Sequence, residues 1–201
     1  MATENTRLRN EFINTQVITR NTRKKLGVVK ELLVDIDRRE VVALGLWDSV
    51  LSVSGMPKYM FLDSISSSED IILVEDEDVI EDIDSDAYIK LINFKVITEE
   101  NKYLGRITDF QFDINQGIIS SLIVSSISLP KILNPLISTY KIFIEEVIRT
   151  RSNRLILFEG AEDRINKVTI GLLERLGIVG KPPYKYTKSK VVYLANGTRI
   201  K

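Results

Sequence analysis

The stretch NTQVITRNTRKKLGVVKELLVDIDRREVVAL at residues 14–44 occurs a second time, in altered form, as NFKVITEENKYLGRITDFQFDINQGIISSL at residues 93–122. With one residue removed near Lys24, the two stretches share an Asn, Val-Ile-Thr, Leu-Gly, Asp-Ile and a final Leu. The similarity resumes further along the chain, where residues 71–75 match residues 155–159. An offset of about 80 residues is too long for a solenoid unit and fits a small domain. The sequence therefore predicts a duplicated module.

Each copy has the pattern of β-strands joined by tight turns. Residues 28–36 and 106–114 are rich in β-branched and aromatic side chains, and the second of these stretches alternates apolar with polar positions. Polar residues follow at 37–39 and at 115–117, and such residues between two apolar runs predict hairpins. Short strands joined in this way favour small antiparallel barrels, which leave few exposed sheet edges.

A Leu-Gly pair opens the long strand of each copy, at Leu26-Gly27 and at Leu104-Gly105. A glycine at this place predicts a bulge or a sharp bend in a curled sheet. The two copies differ most in the loops at 48–59 and 125–140, which precede the closing strands of each copy.

The second copy is followed by a segment that we expect to be helical. Apolar residues at helical spacing and a glycine suited to the position after a helix predict this; they are Ile165, Val168, Leu172, Leu173, Leu176 and Gly177. The predicted fold class is mainly all-β, with two tandem small antiparallel barrels and a C-terminal helix and tail. The predicted boundaries are residues 14–80, 93–163 and, for the helix and basic tail, 164–201.

The composition argues against most catalytic mechanisms. The 201 residues include no Cys and no His, which removes the commonest nucleophile–base pairs and the commonest transition-metal ligands. Glu145 and Glu146 are adjacent, and neighbouring residues on a strand point to opposite faces. We therefore expect no enzyme activity, no catalytic residues and no cofactor.

Charge is balanced overall and uneven along the chain. There are 28 basic and 28 acidic residues, with basic ends and an acidic run at residues 75–86. The run contains Asp82, Asp84 and Asp86 but has Ala87 and Asn93 where a calcium loop needs Gly and Glu, so no metal site is expected. It is interpreted as a solvated linker or a docking surface.

No stretch of the sequence has the length and apolar character of a membrane span or a signal peptide. The longest apolar stretch, residues 118–137, is interrupted by serines, a lysine and two prolines. The expected location is a cytoplasm-like compartment. DNA is not an expected partner, because the acidic run would repel a polyanion; RNA remains an alternative because of the basic ends.

The order of these features resembles the PRC-barrel family. The features are a strand that starts with Val-Ile, a Leu-Gly step, a strand that ends in Asp, a turn and a closing pair of strands. In the first copy they lie at Val17-Ile18, Leu26-Gly27, Asp35, 61–65 and 71–74. In the second copy they lie at Val96-Ile97, Leu104-Gly105, Asp113, 142–147 and 155–158. The phrases DIDRREVVALGLWD, EDVIEDID, NRLILFEGAEDRI and LLERLGI are similar to those of two-barrel PRC proteins of oxygenic phototrophs. The family also includes the cytoplasmic domain of the reaction-centre H subunit and the C-terminal domain of a ribosome maturation factor.

The resemblance implies a protein-binding scaffold or assembly factor without catalytic residues. Its expected partner is a photosynthetic reaction centre or an assembly intermediate of a reaction centre. The protein is expected to bind this partner at its cytoplasmic or stromal face, as a peripheral protein of the thylakoid membrane. Two linked barrels could bind through two weak interfaces and gain avidity. The alternative implied by the same family is a ribosome or RNA maturation factor. The third hypothesis is an enzyme that uses carboxylate side chains.

The parts that differ between the copies are the better candidates for partner binding. Aromatic residues and Met are enriched at binding surfaces, and the basic tail combines lysines with tyrosines. The candidates are Trp47, Met56, Tyr59, Lys181, Tyr184 and Lys185. A core position for Trp47 is equally compatible with the residue types, and a plain linker is favoured over a binding segment at residues 182–184.

Overall fold

The computed structural model describes residues 5–48, 57–68, 70–125 and 137–177. The described chain is mainly β-strand, as predicted. Its strands and helices, in order, are β1 (Thr6–Leu8), α1 (Arg9–Phe12), β2 (Gln16–Thr19), β3 (Lys25–Asp35), β4 (Glu40–Trp47), β5 (Lys58–Phe61), β6 (Ser67–Ser68), β7 (Ile72–Val74), β8 (Lys95–Thr98), β9 (Tyr103–Asp113), β10 (Ile119–Ser125), β11 (Thr139–Phe143), β12 (Val147–Arg151), β13 (Arg154–Leu157), β14 (Asn166–Thr169) and α2 (Leu172–Arg175).

The two copies form two sheets with the same core topology. The first copy gives a six-stranded sheet in the order β5-β4-β3-β2-β7-β6. The second gives the order β12-β13-β8-β9-β10-β11-β14, with β1 added on β9. The prediction of two tandem β units is therefore confirmed at the level of sheets. The pairing is not wholly antiparallel, however, because β2 is parallel to β7 and β8 is parallel to β13.

The structural register refines the sequence match of the closing strands. Val17 pairs with Ile72 in the first copy, and Val96 pairs with Leu155 in the second. Ile72 is thus equivalent to Leu155. The sequence match of residues 71–75 with 155–159 had placed Ile71 opposite Leu155, which is one residue out of register. The alternation explains the difference, because Ile72 and Leu155 are both buried whereas Ile71 is exposed.

Both predicted hairpins are present and use the same side-chain contact. Asp35 Oδ1 accepts hydrogen bonds from the backbone amides of Asp37 and Arg38. Asp113 Oδ1 accepts the equivalent bonds from Asn115 and Gln116. A short acidic side chain that bonds to the backbone two residues later stabilises a tight turn. The repeated Asp is therefore a turn residue in both copies.

The predicted bulge lies next to each Leu-Gly pair. The register between β2 and β3 shifts after the pair Val17–Gly27, and the register between β8 and β9 shifts after Val96–Gly105. A Cβ on Gly105 would lie 2.3 Å from the carbonyl oxygen of Ser125, and the residue has a φ of +144°. Only glycine allows this close approach of two backbones.

The two hairpin turns meet each other and join the two sheets. The Val41 amide donates to the Gly117 carbonyl at 2.8 Å, and the Ile119 amide donates to the Arg39 carbonyl at 2.8 Å. Arg39 is the counterpart of Gly117, and Val41 is the counterpart of Ile119. The two hydrogen bonds are therefore related by an approximate twofold axis that passes between Glu40 and Ile118, which form a bridge.

The segments that precede the two copies are exchanged between the sheets. Arg7 in β1, ahead of the first copy, pairs with Phe112 of the second copy. Ile89, ahead of the second copy, pairs with Val34 of the first copy through two hydrogen bonds of 3.0 Å. Val34 and Phe112 are equivalent positions. Each sheet therefore pairs with the segment that lies ahead of the other copy, at equivalent positions of the receiving strand.

The main hydrophobic core runs through both copies. One contiguous cluster of buried side chains includes Val17 and Leu44 of the first copy together with Phe110 and Leu155 of the second. Phe12 of α1 contributes to it and packs on Phe112, with ring centroids 5.2 Å apart. Small domains bury too little surface for a large margin of stability, and the shared core increases the buried apolar area of each copy.

The acidic run at residues 75–86 and the residues that follow it pack on the first copy along part of their length. Ile83 and Tyr88 lie against a small cluster of Leu33, Ala43 and Tyr59. Glu81 forms a bridge with Tyr59, which extends the sheet beside β5. The interpretation of residues 75–86 as a solvated linker therefore holds for the exposed carboxylates but not for the apolar side chain of Ile83.

The predicted C-terminal helix is shorter than its apolar spacing indicates. Residues 166–169 form β14, which pairs with β11, and the helix α2 has only four residues. Gly177 follows it with a φ of +67°, as expected for a helix end. The free edge of β11 explains the correction, because edge hydrogen bonds compete with the local preference for a helix.

Residues 49–56 and 126–136, which form most of the two variable loops, lie outside the described residues, as do residues 178–201 of the tail. In the described part of the chain, no helix has the length and apolar character needed to cross a membrane.

Candidate functional site

Two of the six predicted partner-binding residues lie in the described chain. Trp47 ends β4 and is half-buried, whereas Tyr59 of β5 is 8% exposed. Met56, Lys181, Tyr184 and Lys185 lie outside the described residues. The assignment of these six residues to partner binding stays a prediction.

Trp47 and Tyr59 belong to one cluster around Glu31. The Tyr59 hydroxyl donates to Glu31 Oε1 at 3.3 Å, and Lys90 Nζ lies 2.7 Å from Glu31 Oε2. A Cβ on Gly45 would lie 2.6 Å from Cγ of Glu31 and 3.2 Å from Cζ3 of Trp47. The absence of a side chain at Gly45 thus lets the carboxylate and the indole pack over the sheet.

Charged groups from both copies meet at Arg9. Burial lowers the pKa of the Arg9 guanidinium, although the negative charges of Asp109 and Glu31 act in the opposite direction. Asp109 is the counterpart of Glu31 in the repeat. Burial also raises the pKa of the Asp109 carboxyl group, although hydrogen bonds from the Phe110 and Asn10 amides and the charge of Arg9 oppose this. The Asn10 amide donates to Asp109 Oδ1 at 3.2 Å, which joins the segment ahead of the first copy to the second copy.

A partly buried ion pair fixes the segment after the second copy. Lys167 Nζ lies 2.6 Å from Glu174 Oε1, and the two side chains are 10% and 11% exposed. Glu174 also accepts from the Ser138 hydroxyl, and the Ser138 oxygen accepts from the Gly171 amide at 3.0 Å. No local sequence pattern indicates this network, because its members are up to 36 residues apart along the chain. It holds β14 and α2 against β11.

The outer side of this segment is apolar and exposed to solvent. Val168, Ile170, Leu172 and Leu176 are 44%, 46%, 45% and 62% exposed. We call these four residues the apolar segment. Apolar side chains exposed singly are normal on a protein surface, but four within nine residues are typical of a contact surface. Three of them, Val168, Leu172 and Leu176, were predicted to lie on the apolar face of a helix, and the structure instead leaves them exposed.

The described residues contain no cluster of three or more carboxylate, Cys or His groups that could hold a metal ion. Glu145 and Glu146 lie in a single 3₁₀ turn before β12, and Glu146 forms a two-point contact with Arg164, at 2.6 Å from both Nε and Nη2. That geometry is an ion pair that links the turn before β12 to the turn before β14.

The ion pair of Glu174 predicts a local dependence on pH. Burial raises the pKa of the carboxyl group, but the hydrogen bond from Lys167, the bond from Ser138, the charge of Lys167 and the Tyr140 hydroxyl together outweigh it, and the net pKa is lowered. A lowered folded-state pKa stabilises the fold above the unfolded value of 4.5, and this contribution is lost as pH falls through the folded-state pKa. The Gly171 amide donates to Ser138 within this network, so its exchange rate relative to the intrinsic rate should rise at acidic pH.

The variant Glu174→Gln is the control for this pH effect. Relative to the intrinsic rate, exchange of its Gly171 amide should be faster than in wild type at neutral pH and should show no further acid step. A local probe is needed because the pKa of Glu162 is also lowered, by a hydrogen bond from its own amide and by Lys102. An acid step of equal size in wild type and variant would contradict the assignment to Glu174.

Comparison with protein families identifies the second copy. The model of the PRC-barrel domain matches residues 83–164, which contain β8 to β13 and the 3₁₀ turn that precedes β14. No curated protein sequence matches the chain. The match covers the second half of the repeat, and the six-stranded sheet of the first copy has the same strand connections around β2, β3, β4, β5 and β7. Residues 83–164 of this chain are therefore a PRC-barrel domain.

Proposed function

We propose that this protein is a non-catalytic scaffold that binds other proteins through a pair of PRC-type barrels. The observation that carries the proposal is the PRC-barrel match at residues 83–164, because PRC-barrel domains mediate protein interactions. The first copy, residues 14–80, is proposed to be a second barrel of the same type, and residues 93–163 and 164–201 are the proposed second barrel and its C-terminal extension.

The shared core and the exchanged lead-in segments support a pair that acts as one body. Val34 and Ile89 join the first copy to the second, and Arg7 and Phe112 join the second to the first. A rigid pair presents its surfaces in a fixed geometry, so a partner loses less conformational entropy than it would on two barrels with a flexible linker. In this mechanism the affinity comes from the fixed arrangement of the two barrels, and not from avidity between two barrels on a flexible linker.

The apolar segment is the proposed contact surface within the described chain. It is exposed, it is anchored by the Lys167–Glu174 pair, and it lies directly before the basic tail that contains the candidates Lys181, Tyr184 and Lys185. Apolar anchors with charged residues near the rim are the usual composition of a protein interface. Trp47 is the proposed contact of the first copy.

The proposed partner is a photosynthetic reaction centre or an assembly intermediate, reached from the cytoplasmic or stromal face of the thylakoid membrane. The similarity of DIDRREVVALGLWD and LLERLGI to two-barrel proteins of oxygenic phototrophs supports this partner. The alternative, a ribosome or RNA maturation factor, is supported by the basic ends of the chain. The two differ in the particle with which the protein should sediment.

A crosslinking pull-down tests the two partners in one experiment. The full chain is crosslinked in parallel to solubilised thylakoid membranes and to ribosomal particles, and the recovery of reaction-centre and ribosomal proteins is compared. Enrichment of reaction-centre proteins supports the proposal. Enrichment of ribosomal proteins, with binding that weakens steeply as salt rises, would support the alternative and reject the photosynthetic partner.

Substitution of the apolar segment tests the contact surface. Leu172→Glu and Leu176→Glu together should weaken binding to the recovered complex by about 10- to 100-fold, because buried interface anchors each contribute about 1–2 kcal/mol or more. Both side chains are exposed, so folding should be unaffected. Binding is measured by surface plasmon resonance with immobilised complex.

Ile71→Glu is the control, since it removes an exposed apolar side chain of the first copy and adds one negative charge, where the double variant adds two. It should bind like wild type. Equal loss of binding in Ile71→Glu and in the double variant would show that added negative charge, and not the apolar segment, determines the effect.

A further inference from the structure

Three basic side chains form a row across three adjacent strands of the second copy. Lys95 of β8 pairs directly with Arg154 of β13 on one side and with Arg106 of β9 on the other. Directly paired residues on neighbouring strands point to the same side of a sheet. At a strand spacing of about 4.8 Å, the row places three positive charges along about 10 Å.

The row lines one pocket of about 430 Å³. Lys90 adds a fourth cation to the lining, and Ser152 and Asn153 of the β12–β13 turn contribute neutral polar groups. None of the nine residues that line this pocket is acidic. Its size falls in the range of small-ligand sites, and its charge is of one sign.

Like charges that face each other across strands destabilise a sheet. In the described part of the chain, no carboxylate lies within salt-bridge distance of Lys95, Arg106 or Arg154. Lys90 differs, because it binds Glu31 at 2.7 Å and also lies in the field of Asp86. The positive charges of the pocket that no described carboxylate balances are therefore those of Lys95, Arg106 and Arg154.

One member of the row is held in place by the backbone. Arg106 Nη1 donates to the Asn93 carbonyl at 2.7 Å. This bond fixes the guanidinium and leaves its other N–H groups available to a ligand. An oriented guanidinium beside a lysine ammonium is the usual arrangement for binding the oxygens of a phosphate group.

The first copy shows that the fold does not need these cations. The equivalent positions are Ile71, Gln16 and Val28, of which Gln16 and Val28 pair directly. The same backbone thus exists with no charge in the row, so the three cations are not required by the strand arrangement. A costly feature found in one copy only is more simply explained by a ligand than by folding.

From this geometry we propose that the pocket between β9, β8 and β13 binds a phosphate group. The group is carried either by a soluble phosphate ester or by an anionic lipid headgroup. Arg106 and Arg154 supply planar pairs of N–H donors, Lys95 supplies a central point charge, and the turn at Ser152 and Asn153 forms the rim. The site is separate from the apolar segment and does not depend on the proposed protein partner.

The test compares two double variants of the full chain that carry the same change in net charge. Lys95→Gln with Arg154→Gln removes two members of the row, and Gln is the residue of the first copy at the Lys95 position. Lys25→Gln with Arg38→Gln removes two cations from the first copy, at positions that do not line the pocket. Binding of inorganic phosphate and of glycerol 3-phosphate is measured by calorimetry at low ionic strength.

Wild type and the Lys25/Arg38 variant should bind one phosphate probe per chain with the same affinity. The Lys95/Arg154 variant should bind at least about tenfold more weakly, as expected for loss of charge-assisted hydrogen bonds. The melting temperature should report the same difference. Phosphate should raise it in wild type and not in the Lys95/Arg154 variant, whereas without phosphate that variant should melt no lower than wild type.

Vesicle flotation separates the two sources of the phosphate group. Flotation with phosphatidylcholine vesicles that contain phosphatidylglycerol, but not with phosphatidylcholine alone, indicates a lipid headgroup; binding of glycerol 3-phosphate without flotation indicates a soluble ester. Equal affinities in the two double variants would overturn the proposal. So would binding of an RNA oligonucleotide that phosphate and glycerol 3-phosphate fail to displace, or the absence of saturable binding to all probes.

Discussion

Replacing Gly105 with alanine is expected to lower the free energy of unfolding by about 3–5 kcal/mol. Two effects add at this position. The backbone has a φ of +144°, a conformation that side chains rarely adopt, and the new Cβ would lie 2.3 Å from the Ser125 carbonyl oxygen and 2.7 Å from Cγ1 of Val124. Urea denaturation measures the effect as a fall in the midpoint with an unchanged slope.

Gly27→Ala is the control, because Gly27 is the counterpart of Gly105 in the first copy. Its φ lies outside the positive region, and its added Cβ would lie 2.9 Å from the Trp47 carbonyl oxygen. The overlap is smaller and there is no backbone strain, so we expect a loss of about 1–2 kcal/mol. A Gly105→Ala variant as stable as Gly27→Ala would show that the bulge in the second copy relaxes freely.

Replacing Gly117 with alanine is expected to cost about 2–4 kcal/mol and to weaken the junction between the copies. The residue has a φ of +74°, and its added Cβ would lie 2.5 Å from the Val41 carbonyl oxygen. The Val41 amide donates to Gly117, so the clash falls on the peptide groups that join the two sheets. Urea denaturation followed by fluorescence and by circular dichroism measures the loss.

Gly160→Ala separates backbone strain from the junction. Gly160 has nearly the same φ, +72°, and the nearest atom to its added Cβ is Arg164 Nη1 at 3.8 Å. This variant should therefore show only the cost of a positive φ, about 1 kcal/mol. The difference in the free energy of unfolding between Gly117→Ala and Gly160→Ala is the contribution of the contact with Val41. Equal losses would mean that the junction adapts without cost.

The sequence predicted the features that depend on local residues. The polar residues at 37–39 and 115–117 predicted hairpins, and Gly27 and Gly105 predicted bulges because glycine tolerates a close approach of two backbones. The structure adds that Asp35 and Asp113 hold the two turns. These preferences are the same in both copies, so the repeat reinforced them. The fold class follows from such local signals.

The features that the sequence did not predict depend on distant partners. Val168 lies at helical spacing from Leu172, yet its segment pairs with β11, whose free edge is about 30 residues away in sequence. Lys95, Arg106 and Arg154 form a row only through strand register, which a slip of one residue would reverse. A comparison of the copies could have indicated the row, because Gln16 and Val28 stand at two of its positions.

The bridge between Glu40 and Ile118 has a consequence for how far this architecture can grow. A solenoid repeat offers one surface to the unit before it and a different surface to the unit after it, so its length is open. Here each copy uses the same hairpin turn to bind its counterpart. A surface that pairs with itself is fully occupied once two copies have met. Tandem duplication at this contact therefore stops at two units, and an added copy would have to bind elsewhere.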